Sequence, residues 1–356
     1  MSDAPKGPMP PDEVRQKARL DNLLGLLNKK PMKPGEDVGA TPHLVVHQEN
    51  KWSLLRYEGA APRLHRHPIL LVPSLINRHY VLDLRPGKSM AEWLVARGHD
   101  VYCIDWGTPG PEDRYIDLET VVDRYLGRAV RVTTRLSGAR PHLVGYCMGG
   151  TLAAVYAALH PDAIASLVTL AAPIHFEDDG LLAKWSKTPT FDVEALVDAT
   201  GLVPWQLLQS SFHMLRPTSN LMKVVNLVDR AWSDPFLDGF FALETWANDN
   251  VSLPGAFYKS WIIDFYRDDR LWHGTLSVGG REASLDRITA PVLAISFEQD
   301  TIAPPASCEA IVERVSGPSK IARLPGSHIG GTTSSAAAKN LWPLLSAATA
   351  DQGFKG

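Results

Sequence analysis

Residues 141–155 read Pro141-His142-Leu143-Val144-Gly145-Tyr146-Cys147-Met148-Gly149-Gly150-Thr151-Leu152-Ala153-Ala154-Val155. A short apolar run ends at Val144, and an Ala- and Leu-rich stretch starts after Gly150. Between them stands Gly-x-Cys-x-Gly, the pattern of a nucleophile elbow with Cys147 where Ser is usual. The strand-to-helix turn is so tight that side chains two residues before and after the nucleophile would collide. Both positions therefore call for glycine. The nucleophile then projects from the sheet at a helix N-terminus, where unpaired N–H groups and the helix dipole favour a thiolate. Taken alone, the same five residues also suit a glycine-rich turn around a buried, inert cysteine, so the rest of the chain has to decide.

Working outward, buried strands and helices alternate on both sides of the elbow. Pro68–Pro73 is a continuous apolar run typical of a strand buried on both faces, and Asp100–Trp106 is another. Ser89–Arg97, Leu118–Leu136 and Thr151–His160 read as helices, and Ala165–Leu170 as a strand. Upstream, His43–His47 and Trp52–Tyr57 alternate as an antiparallel pair leading into the sheet. Alternating strands and helices with right-handed crossovers make a mostly parallel sheet with helices on both faces, an α/β class. From about Phe176 to Asp286 the alternation stops. Helical stretches are expected at 195–200, 204–215, 221–229, 234–248 and 255–266, and six of the ten Trp and eight of the ten Phe fall in this segment. It reads as an inserted helical cap. The sheet pattern returns at Pro291–Phe297 and Lys320–Leu324, with helices at Ser307–Val315 and Ala336–Ala348. The expected division is a tail and helix at 1–40, a core at 41–175 and 287–356, and the cap at 176–286. Within the first part, residues 1–12 read as a frayed tail. Glu13–Lys30 reads as an amphipathic helix with Val14, Leu20, Leu23, Leu24 and Leu27 on one side, either packed on the main domain or offered to a partner.

Composition narrows the function. The chain has 356 residues, 45% of them hydrophobic, and a net charge of −3 without a basic run suited to phosphate backbones, so nucleic acid is not an expected partner. Three Cys, at 103, 147 and 308, lack paired spacing and suit a reducing compartment without disulfides. There is no metal-ligand spacing. Met1–Lys6 lacks the apolar core of a signal peptide, and no apolar stretch reaches the ~18 residues of a transmembrane segment, so a cytoplasmic location is expected.

A catalytic triad on an α/β-hydrolase fold runs nucleophile, acid, base in chain order. Cys147, Asp300 and His328 follow three different strands, each on a loop at the C-terminal end, where sites on such sheets collect. His328 would take the proton from Cys147, and Asp300 would fix the imidazole tautomer. The backbone N–H of Met148 and one from the loop Ser74–Ile76, that of Leu75, would hold the oxyanion. Asp105 is the rival for the acid. His65, His67, His79, His99 and His160 read as structural, Cys103 as a buried strand residue and Cys308 as helix packing. A thiolate expels a thiol from a thioester in a near-balanced exchange, whereas from an oxygen ester it must expel a poorer leaving group. Cys147 therefore points to acyl thioesters such as acyl-CoA, with water or a hydroxyl as the final acceptor.

Several stretches resemble one family, the polyhydroxyalkanoate synthases, especially their short two-component (class III-like) type. The box Gly-x-Cys-x-Gly-Gly-Thr stands at Gly145–Thr151. Residues Pro73–Leu84 are similar to the family's Pro-x-x-Ile-Asn-(Lys/Arg)-x-Tyr-Ile-Leu-Asp-Leu signature. Asp105-Trp106-Gly107, Asp113-Arg114-Tyr115, Asp264-Phe265-Tyr266 and Gly279-Gly280-Arg281 resemble further segments. Asp300 and Gly326–Gly331 resemble its acid and its Gly-x-His-Ile-Gly base motif. The resemblance implies that Cys147 carries a growing 3-hydroxyacyl chain, that His328 deprotonates both the thiol and the incoming hydroxyl, and that Asp300 supports this. The implied reaction polymerises (R)-3-hydroxyacyl-CoA into a polyester with release of CoA, and the CoA thioester is substrate, with no separate cofactor. Implied partners are a second, smaller synthase subunit, further copies of the chain as a homo-oligomer, and the surface of a polyester granule. The helix at 13–30 or the cap would bind the subunit. Tyr146, Met148, His79 and Ser327 depart from the usual residues of the family. The competing readings are an acyl-thioester hydrolase on the same fold and a non-catalytic granule-associated subunit.

Overall fold

Ile69-Leu70-Leu71-Val72 carries no polar side chain, and in the computed structural model it forms a strand with all four residues fully buried. The structure describes residues 11–26, 30–177, 180–215 and 219–351. This strand, β3, is one of the eight of the main sheet: β1 (His43–Glu49), β2 (Trp52–Tyr57), β3 (Ile69–Val72), β4 (Val101–Asp105), β5 (His142–Tyr146), β6 (Ser166–Leu170), β7 (Val292–Phe297) and β8 (Ser319–Leu324). They form one sheet in the order β1-β2-β4-β3-β5-β6-β7-β8. β2 pairs antiparallel with both β1 and β4. Every other pair is parallel. The sheet is thus the mostly parallel one the alternating runs predict, entered through an antiparallel hairpin.

Each central strand buries both faces, and the period of two divides its residues between two cores. Leu70, Val72, Tyr102, Ile104, Leu143, Leu167, Val292 and Ala294 join one cluster. Ile69, Leu71, Val101, Cys103, Val144, Val168, Leu293 and Ile295 join the other. The first side is covered by α3 (Gly127–Ser137) and α4 (Met148–Leu159), the second by α2 (Met90–Val95) and the closing helix Ser335–Ala348. Helix α2 starts where Ser89 Oγ accepts the Glu92 N–H at 2.9 Å, and α3 ends at Gly138, whose φ of 77° only glycine adopts cheaply. All twelve residues of α4 are buried, which fits its Ala-rich sequence and lack of a polar face.

Between β6 and β7 the chain forms helices α5 (Leu181–Ser186), α6 (Val193–Thr200), α7 (Trp205–Leu215), α8 (Ser219–Arg230), α9 (Asp234–Asn248), α10 (Gly255–Ser260) and α11 (Arg270–His273). Five follow the periodicity read from the sequence. Helices α5 and α11 do not, because isolated runs of six and four residues give too short a window. The stretches expected as single helices at 118–136 and 255–266 each contain a π-helical part, Thr120–Leu126 and Trp261–Arg267. The expected helix at 307–315 is an α turn at Pro305–Glu309 that tightens to 3₁₀ geometry over Ala310–Glu313. Side chains of this segment, among them Val203, Leu253, Phe257 and Phe265, belong to the same cluster as the first face of the sheet.

The amphipathic helix near the start is α1 (Asp12–Gly25). Most of the expected tail at 1–12, and Leu27, lie outside the described residues. Leu23 packs beside the Phe236 cluster, but Val14, Leu20 and Leu24 are exposed.

Four histidines gather at the N-terminal ends of β3, β4 and β5. His65 stacks on His99 with ring centroids 3.9 Å apart, and His67 meets His142 edge-on at 5.4 Å. His99 bonds Ser346 Oγ at 2.8 Å and His142 bonds Ser166 Oγ at 2.7 Å. Burial disfavours their charged forms, and the neighbouring histidines add to it, so His99 is pulled down to about 4 and His142 to about 3. These residues stand at the end of the sheet opposite the elbow.

Candidate active site

The elbow has the geometry its glycines require. Cys147 sits between β5 and α4 at φ 56° and ψ −133°, a backbone conformation costly for a side-chain-bearing residue. A Cβ on Gly145 would lie 2.3 Å from Gly150 Cα, and one on Gly149 would lie 2.1 Å from the Val72 carbonyl oxygen. Gly150 is equally confined, with the Ala172 Cβ and the Gly145 carbonyl within 2.6 Å. Three glycines thus let the helix cross the ends of β3 and β5 at backbone contact distance. The Cys147 N–H donates to the Leu170 carbonyl at 2.9 Å, and Thr151 Oγ1 donates to that of Pro173 at 2.7 Å.

The loops after β7 and β8 bring in two of the predicted partners. Asp300 Oδ1 accepts the N–H groups of Ile302 and Ala303, both at 2.9 Å, which aims Oδ2 at His328. Oδ2 meets His328 Nδ1 at 2.7 Å, and both residues are buried. Tyr146 lies against the His328 ring at 5.3 Å between centroids, and its hydroxyl donates to the His328 carbonyl at 3.3 Å. Burial works against the imidazolium. The charges of Cys147 and Asp300, with a hydrogen bond to each, outweigh it and push His328 up to about 10. Cys147 and His328 line the same cavity, so the thiol and the Asp300-bound imidazole face one space.

The rival acid is excluded by position. Asp105 accepts the Gly107 N–H at 3.0 Å and lies 3.3 Å from His79 Nδ1, so its business is with its own loop. Burial opposes its charge, but His79 and Gly107 keep its carboxyl below the usual range. Cys103 and Cys308 are fully buried, as expected of packing residues, and burial pushes the Cys103 thiol well up.

The two backbone N–H groups expected of an oxyanion hole lie on the turn after Cys147 and on the loop after β3. Met148 is the first residue of α4, so its N–H has no intrahelical acceptor. Among the described residues the Leu75 N–H donates to no protein group. Its loop is held by Trp106 Nε1, which donates to the Pro73 carbonyl at 2.9 Å, and by the Ile76 N–H, which donates to Ser74 Oγ at 3.3 Å.

Cys147 lies where two cavities meet. One, of about 270 Å³, holds His328 and has Ser327, Gln299, Asn250, His213 and Lys223 on its wall. The other, of about 440 Å³, is walled by Trp185, Phe191, Tyr258, Trp261 and Tyr266 among others. Ile76, Phe212 and Ile302 line both. Ile76, Tyr266 and Ser327 fall in stretches quoted from the sequence, but none is read there as a cavity wall, and the other aromatic wall residues are not singled out. Only the aromatic bias of 176–286 signals them, and it does not say which rings face a cavity. Among the described residues no group of three or more His, Cys, Asp or Glu could hold a metal ion, and no helix is long and apolar enough to cross a membrane.

Sheet order, elbow and strand-end loops define an α/β-hydrolase-fold protein, and a family model described as alpha/beta hydrolase fold matches residues 67–330. A hydrolase from Pseudomonas aeruginosa shares this fold at a TM-score of 0.50 and 20% identity, over 86% of this chain and 97% of that one. A second family model, described as the N-terminus of poly-beta-hydroxybutyrate polymerase (PhaC), matches residues 15–94. The chain is 35% identical over 316 residues to the poly(3-hydroxyalkanoate) polymerase subunit PhaC of Allochromatium vinosum, covering 87% of this chain and 88% of that one. It is 36% identical over 313 residues to the same subunit of Haloferax mediterranei, covering 87% of this chain but 64% of the longer relative. The chain belongs to the poly(3-hydroxyalkanoate) polymerase family, as its motifs led one to expect, and is an acyltransferase that polymerises 3-hydroxyacyl units.

Proposed function

We propose that this enzyme polymerises (R)-3-hydroxyacyl-CoA through an acyl intermediate on Cys147, with His328 and Asp300 completing the triad. The observation that carries the reading is the buried His328–Asp300 hydrogen bond opening on the same cavity as Cys147, which stands at the junction of two cavities. In the acylation step the Cys147 thiolate attacks the thioester carbonyl. The oxyanion rests on the N–H groups of Met148 and Leu75, the C–S bond to CoA breaks, and the CoA thiolate takes the proton from the His328 imidazolium. In elongation, His328 removes the proton of a 3-hydroxyl group as that oxygen attacks the acyl-Cys147 carbonyl. An ester bond forms and the C–S bond to Cys147 breaks.

The pull on His328 changes between the two steps. The charge on Cys147 is the first of the upward pulls. Acylation removes it, so the same ring that is an imidazolium in the free enzyme becomes free to act as a base. The aromatic cavity supplies an apolar berth for acyl chains, and the cavity holding His328 and Lys223 admits the polar thioester arm. In this reading the chain divides into the tail and helix at 1–40, the core at 41–175 and 287–356, and a cap at 176–286 that walls the site. A second synthase subunit docks on the outward apolar residues of α1 and α8, such as Leu20, Leu24, Leu221 and Met222. The enzyme works as a homo-oligomer in the cytoplasm at the surface of polyester granules.

The test is to incubate the protein with 3-hydroxybutyryl-CoA, with and without a candidate second subunit, while following CoA, polymer and free acid. CoA release with insoluble polymer is expected, and Cys147→Ala abolishes both. Soluble 3-hydroxy acid as the only product would replace the polymerase reading with a thioester hydrolase.

A further inference from the structure

The stretch Asn77-Arg78-His79-Tyr80 follows the loop that carries Leu75, yet of these four only Asn77 reaches the nucleophile's cavities. What this stretch does is join that loop to one turn about 170 residues away, at the end of α9. Trp246 Nε1 donates to the Arg78 carbonyl at 2.9 Å. Arg78 Nε and the Tyr80 hydroxyl donate to the two oxygens of Asp249, at 2.9 and 2.8 Å. Asn77 Nδ2 donates to Asn250 Oδ1 at 2.7 Å, and the Val251 N–H reaches the Ile76 carbonyl at 3.4 Å. The Asn250 amide cannot turn to offer Asn77 its nitrogen, because its own Nδ2 donates to the Ala247 carbonyl at 2.7 Å. On its other side the same carbonyl accepts Gln209 Nε2 at 3.3 Å from α7, the helix that carries Phe212.

We infer that Asp249 and Asn250 are positioning residues for acyl transfer: the docked turn at 246–251 sets where the Leu75 N–H stands. This rests on the proposed oxyanion role of Leu75. No single bond here is strong. Together they hold Ile76, Asn77, Arg78 and Tyr80, within five residues of Leu75, and a donor displaced by about 1 Å loses roughly 10²-fold in rate. The segment 176–286 thereby controls the chemistry through the loop it holds, in addition to walling the cavities.

Two reactions of the same thiol separate this role from a merely structural one. Thioester attack develops charge on a carbonyl oxygen and needs the oxyanion donors. Alkylation by iodoacetamide forms an S–C bond as iodide leaves, develops no oxyanion, and needs only the Cys147–His328 pair. In an Asp249→Ala/Asn250→Ala variant, kcat for CoA release from 3-hydroxybutyryl-CoA should fall roughly 10²-fold with KM little changed. The alkylation rate of Cys147 should stay within about twofold of the parent, and Tyr80→Phe should fall between the two. If the double variant does not fold, Asp249→Asn and Asn77→Ser carry the same comparison. Unchanged turnover, or an equal loss in turnover and alkylation, would overturn the inference. CoA release is common to polymerisation and hydrolysis, so the result stands apart from whether polymer forms.

Discussion

The charge on His328 is set by its neighbours, and that makes it measurable. Buried beside Cys147 and Asp300, the ring is held up to about 10 against an ordinary value of 6.5. A histidine raised in the folded state contributes its stabilisation in full below pH 6.5 and loses it as the pH climbs through about 10. Alkylating Cys147 removes the first of the upward pulls. An NMR titration of the imidazole should then show His328 titrating at a lower pH, and an unchanged value would mean that the two residues are not coupled. Asp300→Asn keeps the size of the side chain but removes the charge and the acceptor for the Nδ1 proton. It should lower kcat by roughly 10²–10⁴-fold while the fold and KM survive. These three residues were legible in the sequence because the chemistry demands particular residue types in a particular chain order. The cavity walls were not. Phe212 and Ile302 are ordinary apolar residues whose placement depends on contacts far along the chain.

At the scale of elements, the elbow is a crossing of backbone on backbone. In Gly149→Ala the added methyl would stand 2.1 Å from the Val72 carbonyl oxygen and 2.5 Å from that of Pro73. Neither can move without shifting β3 or the Leu75 loop. A loss of about 2–3 kcal/mol is expected, with turnover abolished, as read from urea midpoints and CoA release. Gly138→Ala is the control. Its φ of 77° strains an alanine by about 1 kcal/mol, but no atom lies within 4 Å of the new methyl, so activity should persist. Strands such as β3 could be read directly because a short apolar run closed by a proline at each end is too brief for a helix and too greasy for a loop. The π-helical parts at Thr120–Leu126 and Trp261–Arg267 could not, since one extra residue in a turn barely disturbs a helical period. The bonds from Asn77, Arg78 and Tyr80 to the end of α9 were equally hidden: periodicity describes neighbours along the chain, and these partners are about 170 residues apart.

For the whole molecule, the two ends of the sheet answer pH differently. At the end opposite the elbow, His99 and His142 are buried with values of about 4 and about 3, facing His65, His67 and Asp351. Unfolding returns both to about 6.5 and takes up as many as two protons. Stability should therefore fall between about pH 6.5 and 4, by at most ~2.7 kcal/mol per pH unit. A urea-midpoint series should show the slope, and His142→Gln should reduce it. A flat profile would contradict the burial of these rings. The class of the sheet was readable from alternating runs, and the aromatic bias marked out 176–286 as a different texture. What the bias concealed is that, apart from a small cluster around Phe236, this segment shares its apolar interior with the sheet. Val203, Leu253, Phe257 and Phe265 share one apolar cluster with Leu70, Val72 and Leu143 of the sheet. Melting either part exposes the flank of the other, so a calorimeter should record a single heat-absorption peak, with van't Hoff and calorimetric enthalpies in agreement. A protease that nicks between the helices should release no stable fragment.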